Sequence, residues 1–113
     1  MKSLQNSLKR IRDVLNTTSA NGRIGHYFRP TSLTPSWIVW QESDEDTSFH
    51  ANNHKDLQQV AGTIDCYTQI EYDPLLDEIQ EALDGAGIGF RLNSVQYEDE
   101  TKLIHYEWEF YIS

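Results

Sequence analysis

Two stretches of the chain carry apolar residues at helical spacing. The first stripe consists of Leu4, Leu8, Ile11 and Leu15. Its period of about 3.6 residues is typical of an amphipathic helix. Ser3 is a suitable N-cap, and turn-forming residues follow the stripe. We therefore predict a helix over residues 3–16.

A second helix is predicted over about residues 73–86. Asp73 is a good N-cap, Pro74 fits the first helical position, and Gly85 or Gly87 can supply a left-handed C-cap. The apolar stripe of this helix consists of Leu75, Leu76, Ile79, Ala82 and Leu83.

Other stretches have the composition or alternation of strands. The predicted early strands are Ile24–Arg29, Trp37–Glu42, Phe49–Asn53 and Val60–Gln69. In the last of these, apolar or small residues occupy every second position, which indicates a half-buried strand. The charged segment Ser43–Ser48 is predicted to be a hairpin turn.

The C-terminus predicts a hairpin with arms Phe90–Glu98 and Lys102–Ile112. One face of the second arm carries Ile104, Tyr106, Trp108, Phe110 and Ile112. The first arm changes phase in its middle, so we expect a β-bulge near Asn93-Ser94.

Helices and hairpins are segregated along the chain, which favours an α+β fold. We expect a largely antiparallel β-sheet with the N-terminal helix and the second helix packed on one face. The 113 residues suit a single domain, 1–113. Hydrophobic residues make up 38% of the chain, so the core is small and partner subunits would help to stabilise it.

Charge is distributed unevenly along the acidic chain, whose formal net charge is −9. Residues 1–29 hold six basic residues and one acidic residue, a net +5, whereas residues 30–113 hold three basic and seventeen acidic residues, a net −14. One interpretation is a solvated basic helix on an acidic body. The other is a head-to-tail contact between subunits that closes into a ring.

On the second interpretation, the predicted subunit interface consists of Lys9, Arg10, Arg12, Arg23 and Arg29. The predicted acidic lumen or rim consists of Asp44, Glu45, Asp46, Glu107 and Glu109.

Composition excludes several classes of protein. We expect no membrane association, because no apolar run approaches the about 18 residues that a spanning helix needs. The N-terminus does not resemble a signal peptide. A single cysteine excludes an intrachain disulfide framework and a cysteine-based zinc cluster. An acidic domain is also a poor nucleic-acid binder.

The search for catalytic, cofactor and metal sites yields none. His50 and His54 lie in a segment without helical patterning, so they do not form a zinc-binding helix. His105 is interpreted as a surface residue paired with Glu107, and Cys66 as a small buried hydrophobe. The aromatic residues at strand spacing are interpreted as sheet core, with a subunit interface as the alternative; they are Trp37, Trp40, Tyr67, Tyr106, Trp108 and Phe110.

Three blocks of sequence resemble a known family. They read VAGTIDCYTQ at Val60–Gln69, YDPLLDEIQEALDGAGIGF at Tyr72–Phe90 and LNSVQYEDETKLIHYEWEFYI at Leu92–Ile112. This pattern is similar to the small neck proteins of long-tailed phages and Gram-positive prophages, of the tail terminator or tail completion type.

The resemblance implies a sheet flanked by two helices and a structural role without cofactor. Six copies would form a ring that caps the last ring of the major tail protein and docks with the head completion protein. DNA would pass through an acidic lumen without specific binding. The protein would be made in the host cytoplasm and be found at the head–tail junction of the virion.

Two alternatives remain beside this interpretation. One is another head–tail connector or a tail tube component. The other, from a different class, is a soluble acidic inhibitor that mimics DNA. A small enzyme is disfavoured because no catalytic constellation was found.

Overall fold

The computed structural model describes residues 3–45 and 59–113, which contain two helices and five strands. In chain order these are α1 (Leu4–Leu15), β1 (Ile24–His26), β2 (Ser36–Glu45), β3 (Val60–Thr68), α2 (Leu75–Gly85), β4 (Gly89–Glu98) and β5 (Leu103–Ile112). The predicted strand over Phe49–Asn53 lies outside the described residues.

The strands form one sheet in the order β1-β2-β3-β5-β4. Strand β1 is parallel to β2, and the other three pairings are antiparallel. This confirms the predicted α+β fold with its largely antiparallel sheet.

Both helices begin with side-chain capping of the predicted kind. The Ser3 hydroxyl accepts a hydrogen bond from the backbone N–H of Asn6 at 3.3 Å. The Asp73 carboxylate accepts one from the N–H of Leu75 at 2.9 Å and another from the buried Thr68 hydroxyl at 2.6 Å. Asp73 therefore caps α2 and also ties its start to the end of β3.

The helices pack on the same face of the sheet. Alternate residues of β3 are buried along its whole length, as the sequence pattern predicts. The buried cluster between the two layers consists of Ile11, Leu15, Ala20, Ile38, Trp40, Val60, Ile64, Cys66, Leu75, Ile79, Leu83, Ile88, Trp108, Phe110 and Ile112. This cluster is the hydrophobic core that holds the helices in place.

The C-terminal hairpin has the predicted bulge. The register between β4 and β5 shifts between Leu92 and Ser94, so Val95 and Tyr97 return to the same face as Leu92. The helices nevertheless leave these three side chains about half exposed. Strand β4 therefore presents apolar residues to solvent at one edge of the sheet.

Two early strands differ from the prediction. β1 ends at His26 rather than Arg29, because Tyr27 adopts a left-handed conformation (φ 72°) that turns the chain away. β2 continues to Glu45, where Asp44 and Glu45 pair with β3, so Ser43–Glu45 belong to a strand and not to a turn; the rest of the predicted turn lies outside the described residues. A bulge between Glu42 and Asp44 accommodates the extension.

In the two described stretches, neither helix has the length and apolar character required to cross a membrane.

Candidate functional site

The face of the sheet opposite the helices, here called the open face, is rich in carboxylates. Residues in register on neighbouring strands share a face, and side chains alternate along each strand. By this rule the charged side chains on the open face are Asp44, Asp65, Arg91, Glu98, Glu107 and Glu109, together with the imidazole of His105. Among the described residues, five carboxylates thus share this face with one guanidinium group.

The predicted lumen residues are divided between the two faces. Asp44, Glu107 and Glu109 lie on the open face, whereas Glu45 lies opposite Val60 on the helix side. Asp46 lies outside the described residues. The open face therefore brings together three of the five residues of the predicted acidic set.

Three rings stack across the open face. The ring centroids of Trp37 and Tyr67 are 4.1 Å apart, and those of Tyr67 and His105 are 4.2 Å apart. Trp37 and Tyr67 were grouped with the core aromatics in the sequence, but register places them on the other side of the sheet from Trp40 and Trp108. The stack gives one end of the open face an aromatic surface.

His105 pairs with Asp65, not with Glu107 as its sequence suggested. Its Nε2 atom lies 2.7 Å from Oδ1 of Asp65, on the neighbouring strand β3. His105 is in register with Tyr67, so Asp65 is its diagonal neighbour on β3. Diagonal neighbours on one face of a sheet lie within reach of long side chains such as the imidazole.

Asp65 and Glu107 face each other directly across β3 and β5. Burial raises the pKa of Asp65, and the nearby Glu107 carboxylate acts in the same direction, while the His105 hydrogen bond opposes both. Ligating atoms of Asp65, His105 and Glu107 all lie within 4.8 Å of one another. One nitrogen and two carboxylate groups form a donor set that can hold a divalent cation.

Hydrogen bonds within β5 and between β4 and β5 orient Glu107 and Glu109. Tyr111 donates to Glu109 at 2.5 Å, Arg91 lies 3.0 Å from the same carboxylate, and Asn93 donates to Glu107 at 2.6 Å. The Tyr111 hydrogen bond, followed by that of Arg91, lowers the pKa of Glu109, so this carboxylate stays ionised.

The predicted basic residues are distributed over different surroundings. Arg10 donates to the carbonyl oxygen of Ala86 beside α2, and Arg23 donates to that of Ser36 at 2.6 Å. Lys9 and Arg12 line one surface depression together with Arg10 and a second depression next to β1.

Arg29 is exposed in the segment that follows β1. Whether any of the five basic residues contacts another subunit remains a prediction.

Cys66 is fully buried in β3, which supports its interpretation as a small hydrophobe. Burial raises the pKa of its thiol from 9.0 to about 12. The neutral thiol therefore favours the folded state, and this contribution to stability is lost as the pH rises from about 9 to about 12.

We expect the native protein to resist alkylation of Cys66 by iodoacetamide at pH 8, because the thiolate is the reactive form and the folded chain provides neither ionisation nor access. Mass spectrometry would follow the modification with and without 8 M urea. The urea-unfolded chain should react within minutes and the native chain only through unfolding. Equal rates in the two conditions would contradict the burial of Cys66.

Asp65 and the ring stack are the features that sequence reasoning missed. Alternation along β3 already places Asp65 and Tyr67 on its polar face, but their partners are set by the pairing of β3 with β5, about 40 residues later. The sequence did not reveal the order of the strands in the sheet, which is needed to predict these contacts.

The chain has no match among family models or among curated proteins. A chain of the solved structure "Virion of native gene transfer agent (GTA) particle" is similar in fold, with 11% sequence identity and a TM-score of 0.47; the match covers 97% of this chain and 92% of that chain.

Proposed function

We propose that the chain is a structural protein of a phage virion, a ring-forming subunit of the neck that terminates the tail tube. The observation that carries this proposal is the open face, where carboxylates of β2, β3, β4 and β5 share the side of the sheet that neither described helix covers. The sequence resemblance to tail terminator and tail completion proteins supports the same role.

An acidic open face suits the wall of a channel for DNA. Phosphates gain no counterion release on a surface of carboxylates, and like charge repels them. A duplex can then slide past without adsorbing. In this arrangement the open face lines the lumen, and the helices lie on the outside of the ring.

The proposed partners follow from the position in the particle. One rim of the ring meets the last ring of the major tail tube protein, and the other meets the head completion protein. The protein acts through these contacts and has no catalytic role.

The test is immunogold electron microscopy of particles from the source phage or from an induced lysogen. Antibodies are raised against the purified chain, and particles from a strain without its gene serve as the control. Label confined to the head–tail junction is the expected result.

Label along the whole tail would replace the proposed role by that of a tube component. Unlabelled particles, with the protein left in the soluble fraction, would overturn the virion role and favour the soluble acidic inhibitor. Binding to a host nuclease or polymerase would then be measured.

A further inference from the structure

The two edges of the sheet are flanked by helices of opposite charge. α1 lies beside the β1 edge, where Gln5, Leu8, Lys9 and Arg12 line one depression with His26 and Trp40. α2 lies toward the other edge, because Gln80 accepts a hydrogen bond from the Trp108 indole of β5 at 3.0 Å and the helix contacts β4. The sheet order places β1 and β4 at the two opposite edges of the sheet.

The flank at the β1 edge, here called the basic flank, consists of Lys9, Arg12 and Arg29. All three are exposed. The Lys9 ammonium group forms no hydrogen bond or ion pair within the described stretches, and the Arg12 guanidinium group pairs there only with the exposed Asp13 at 2.9 Å. An exposed pair of this kind contributes little stability, so the guanidinium remains available.

Exposed aromatic residues accompany the basic flank. Tyr27 and Phe28 follow β1 directly, and Phe28 is 79% exposed. Tyr27 keeps its left-handed conformation through a hydrogen bond from its N–H to the carbonyl oxygen of Trp40 at 2.9 Å, and its hydroxyl donates to Glu42. The chain therefore holds a strained turn that presents these rings to solvent.

The second flank, here called the acidic flank, consists of Asp77, Glu81 and Asp84 on α2, the helix that contacts β4. Their spacing of four and three residues puts them on one exposed side of the helix. Within the described stretches, none of the three carboxylate groups forms a hydrogen bond or ion pair. Aligned carboxylates without partners repel one another and favour a basic neighbour.

Apolar side chains lie beside the acidic flank on β4. Leu92, Val95 and Tyr97 are 46%, 50% and 58% exposed. β4 is an edge strand of ten residues, so the backbone groups on its outer side have no partner strand in the described sheet. Long apolar edges are generally covered in the assembled state of a protein.

We propose that the acidic flank and the β4 edge of one copy bind the basic flank of a second copy. Each surface combines exposed apolar side chains with unpaired charge, and the two charges are opposite. A second copy of the chain fits this surface, because it carries exposed basic and apolar side chains that match the acidic and apolar ones. The inference rests on the proposed function, whose ring it builds.

The two surfaces differ, so the contact is head-to-tail. A heterologous contact leaves one free surface of each kind after every addition, and a ring forms when the rotation between copies closes. In this geometry the basic flank of one copy faces the acidic flank of the next.

Charge reversal tests the contact with two variants. The first carries Lys9→Glu and Arg12→Glu, so both of its flanks are acidic. The second carries Asp77→Lys and Glu81→Lys, so both of its flanks are basic. We expect self-association of each variant to weaken by about 100-fold, because like charges meet in the contact. Analytical ultracentrifugation up to millimolar protein measures it.

Mixing the two variants is the decisive step. An equimolar mixture should assemble, because each variant now complements the other, and the chain with all four substitutions should assemble alone. Asp99→Lys with Glu100→Lys changes the charge equally in the exposed β4–β5 turn and serves as the control, which should assemble like the wild type. Circular dichroism checks that every variant is folded.

Unchanged assembly of the two variants, or a mixture that stays monomeric, would overturn the proposed contact. A wild-type chain that remains monomeric at millimolar concentration would overturn it as well. These outcomes are separate from the particle labelling above. If the label lies at the neck but assembly does not depend on the four residues, the proposed function stands and the proposed contact is wrong. If the particles are unlabelled but the charge variants behave as expected, the contact stands and the proposed function is wrong.

Discussion

Replacement of Trp108 by alanine is expected to lower the free energy of unfolding by about 3–5 kcal/mol, the range for large aromatic residues removed from a core. Trp108 is 1% exposed and lies in the middle of β5. It is in register with Ile64 on one side and Leu92 on the other, and its indole N–H donates to Gln80 of α2. The substitution therefore leaves a cavity between sheet and helix and removes a hydrogen bond.

Leu92→Ala is the matched control for Trp108→Ala, because Leu92 is the neighbour in the same cross-strand row but remains exposed. We expect its cost to stay below about 1 kcal/mol, since little apolar surface is removed from burial. Urea titration with constant m-value compares the two variants. A loss below 1 kcal/mol for Trp108→Ala would show that this side chain is not in the core.

The position of Trp108 illustrates how much of the fold the sequence predicts. Alternation over ten residues of β5 assigns its two faces, and the change of phase in β4 predicts the bulge, because both signals are local. Helix α2 is equally local, since Asp73 marks its start and Gly87, with φ of 72°, follows its end. These elements agree with the structure to within a few residues.

Features that depend on distant pairing were not predictable in the same way. β1 has three residues, too few for a periodic signal, and its parallel pairing with β2 depends on how residues 27–35 return the chain to the same end of the sheet. The end of β2 at Glu45 was not predicted, because its last residues are charged and an exposed strand end has a composition similar to that of a turn. The pairing of Asp65 with His105 required the register of β3 with β5.

The acidic open face was predicted in part for the same reason. Glu107 and Glu109 alternate with core residues of β5, so their face could be assigned from sequence. Asp65 could not be assigned to the same group from sequence, because this requires knowing that β3 is the neighbour of β5 in the sheet. The opposite flanks likewise required knowledge of which helix lies beside which edge. Charge counts along the chain show that the N-terminal segment is basic and the rest acidic, but they do not show where these charges lie on the folded surface.

Gly62→Ala is expected to destabilise the protein by about 3 kcal/mol, at the upper end of the cost of overpacking a core. Gly62 lies in β3 opposite Phe110, on the side that faces the core. A Cβ atom there would lie 2.3 Å from the carbonyl oxygen of Gln41 and 2.5 Å from the Phe110 ring. The ring is fully buried and the carbonyl belongs to β2, so neither can withdraw without disturbing the sheet.

Gly85→Ala separates this steric effect from the general effect of replacing glycine. Gly85 ends α2, and a Cβ atom there would meet no heavy atom within 4 Å. Alanine has the higher helix propensity and reduces the entropy of the unfolded chain, so we expect stability to stay the same or rise by up to about 1 kcal/mol. Urea titration of both variants gives the comparison. Equal stability of Gly62→Ala and the wild type would mean that Phe110 does not occupy the space above β3, and the packing that places β5 beside β3 would have to be revised.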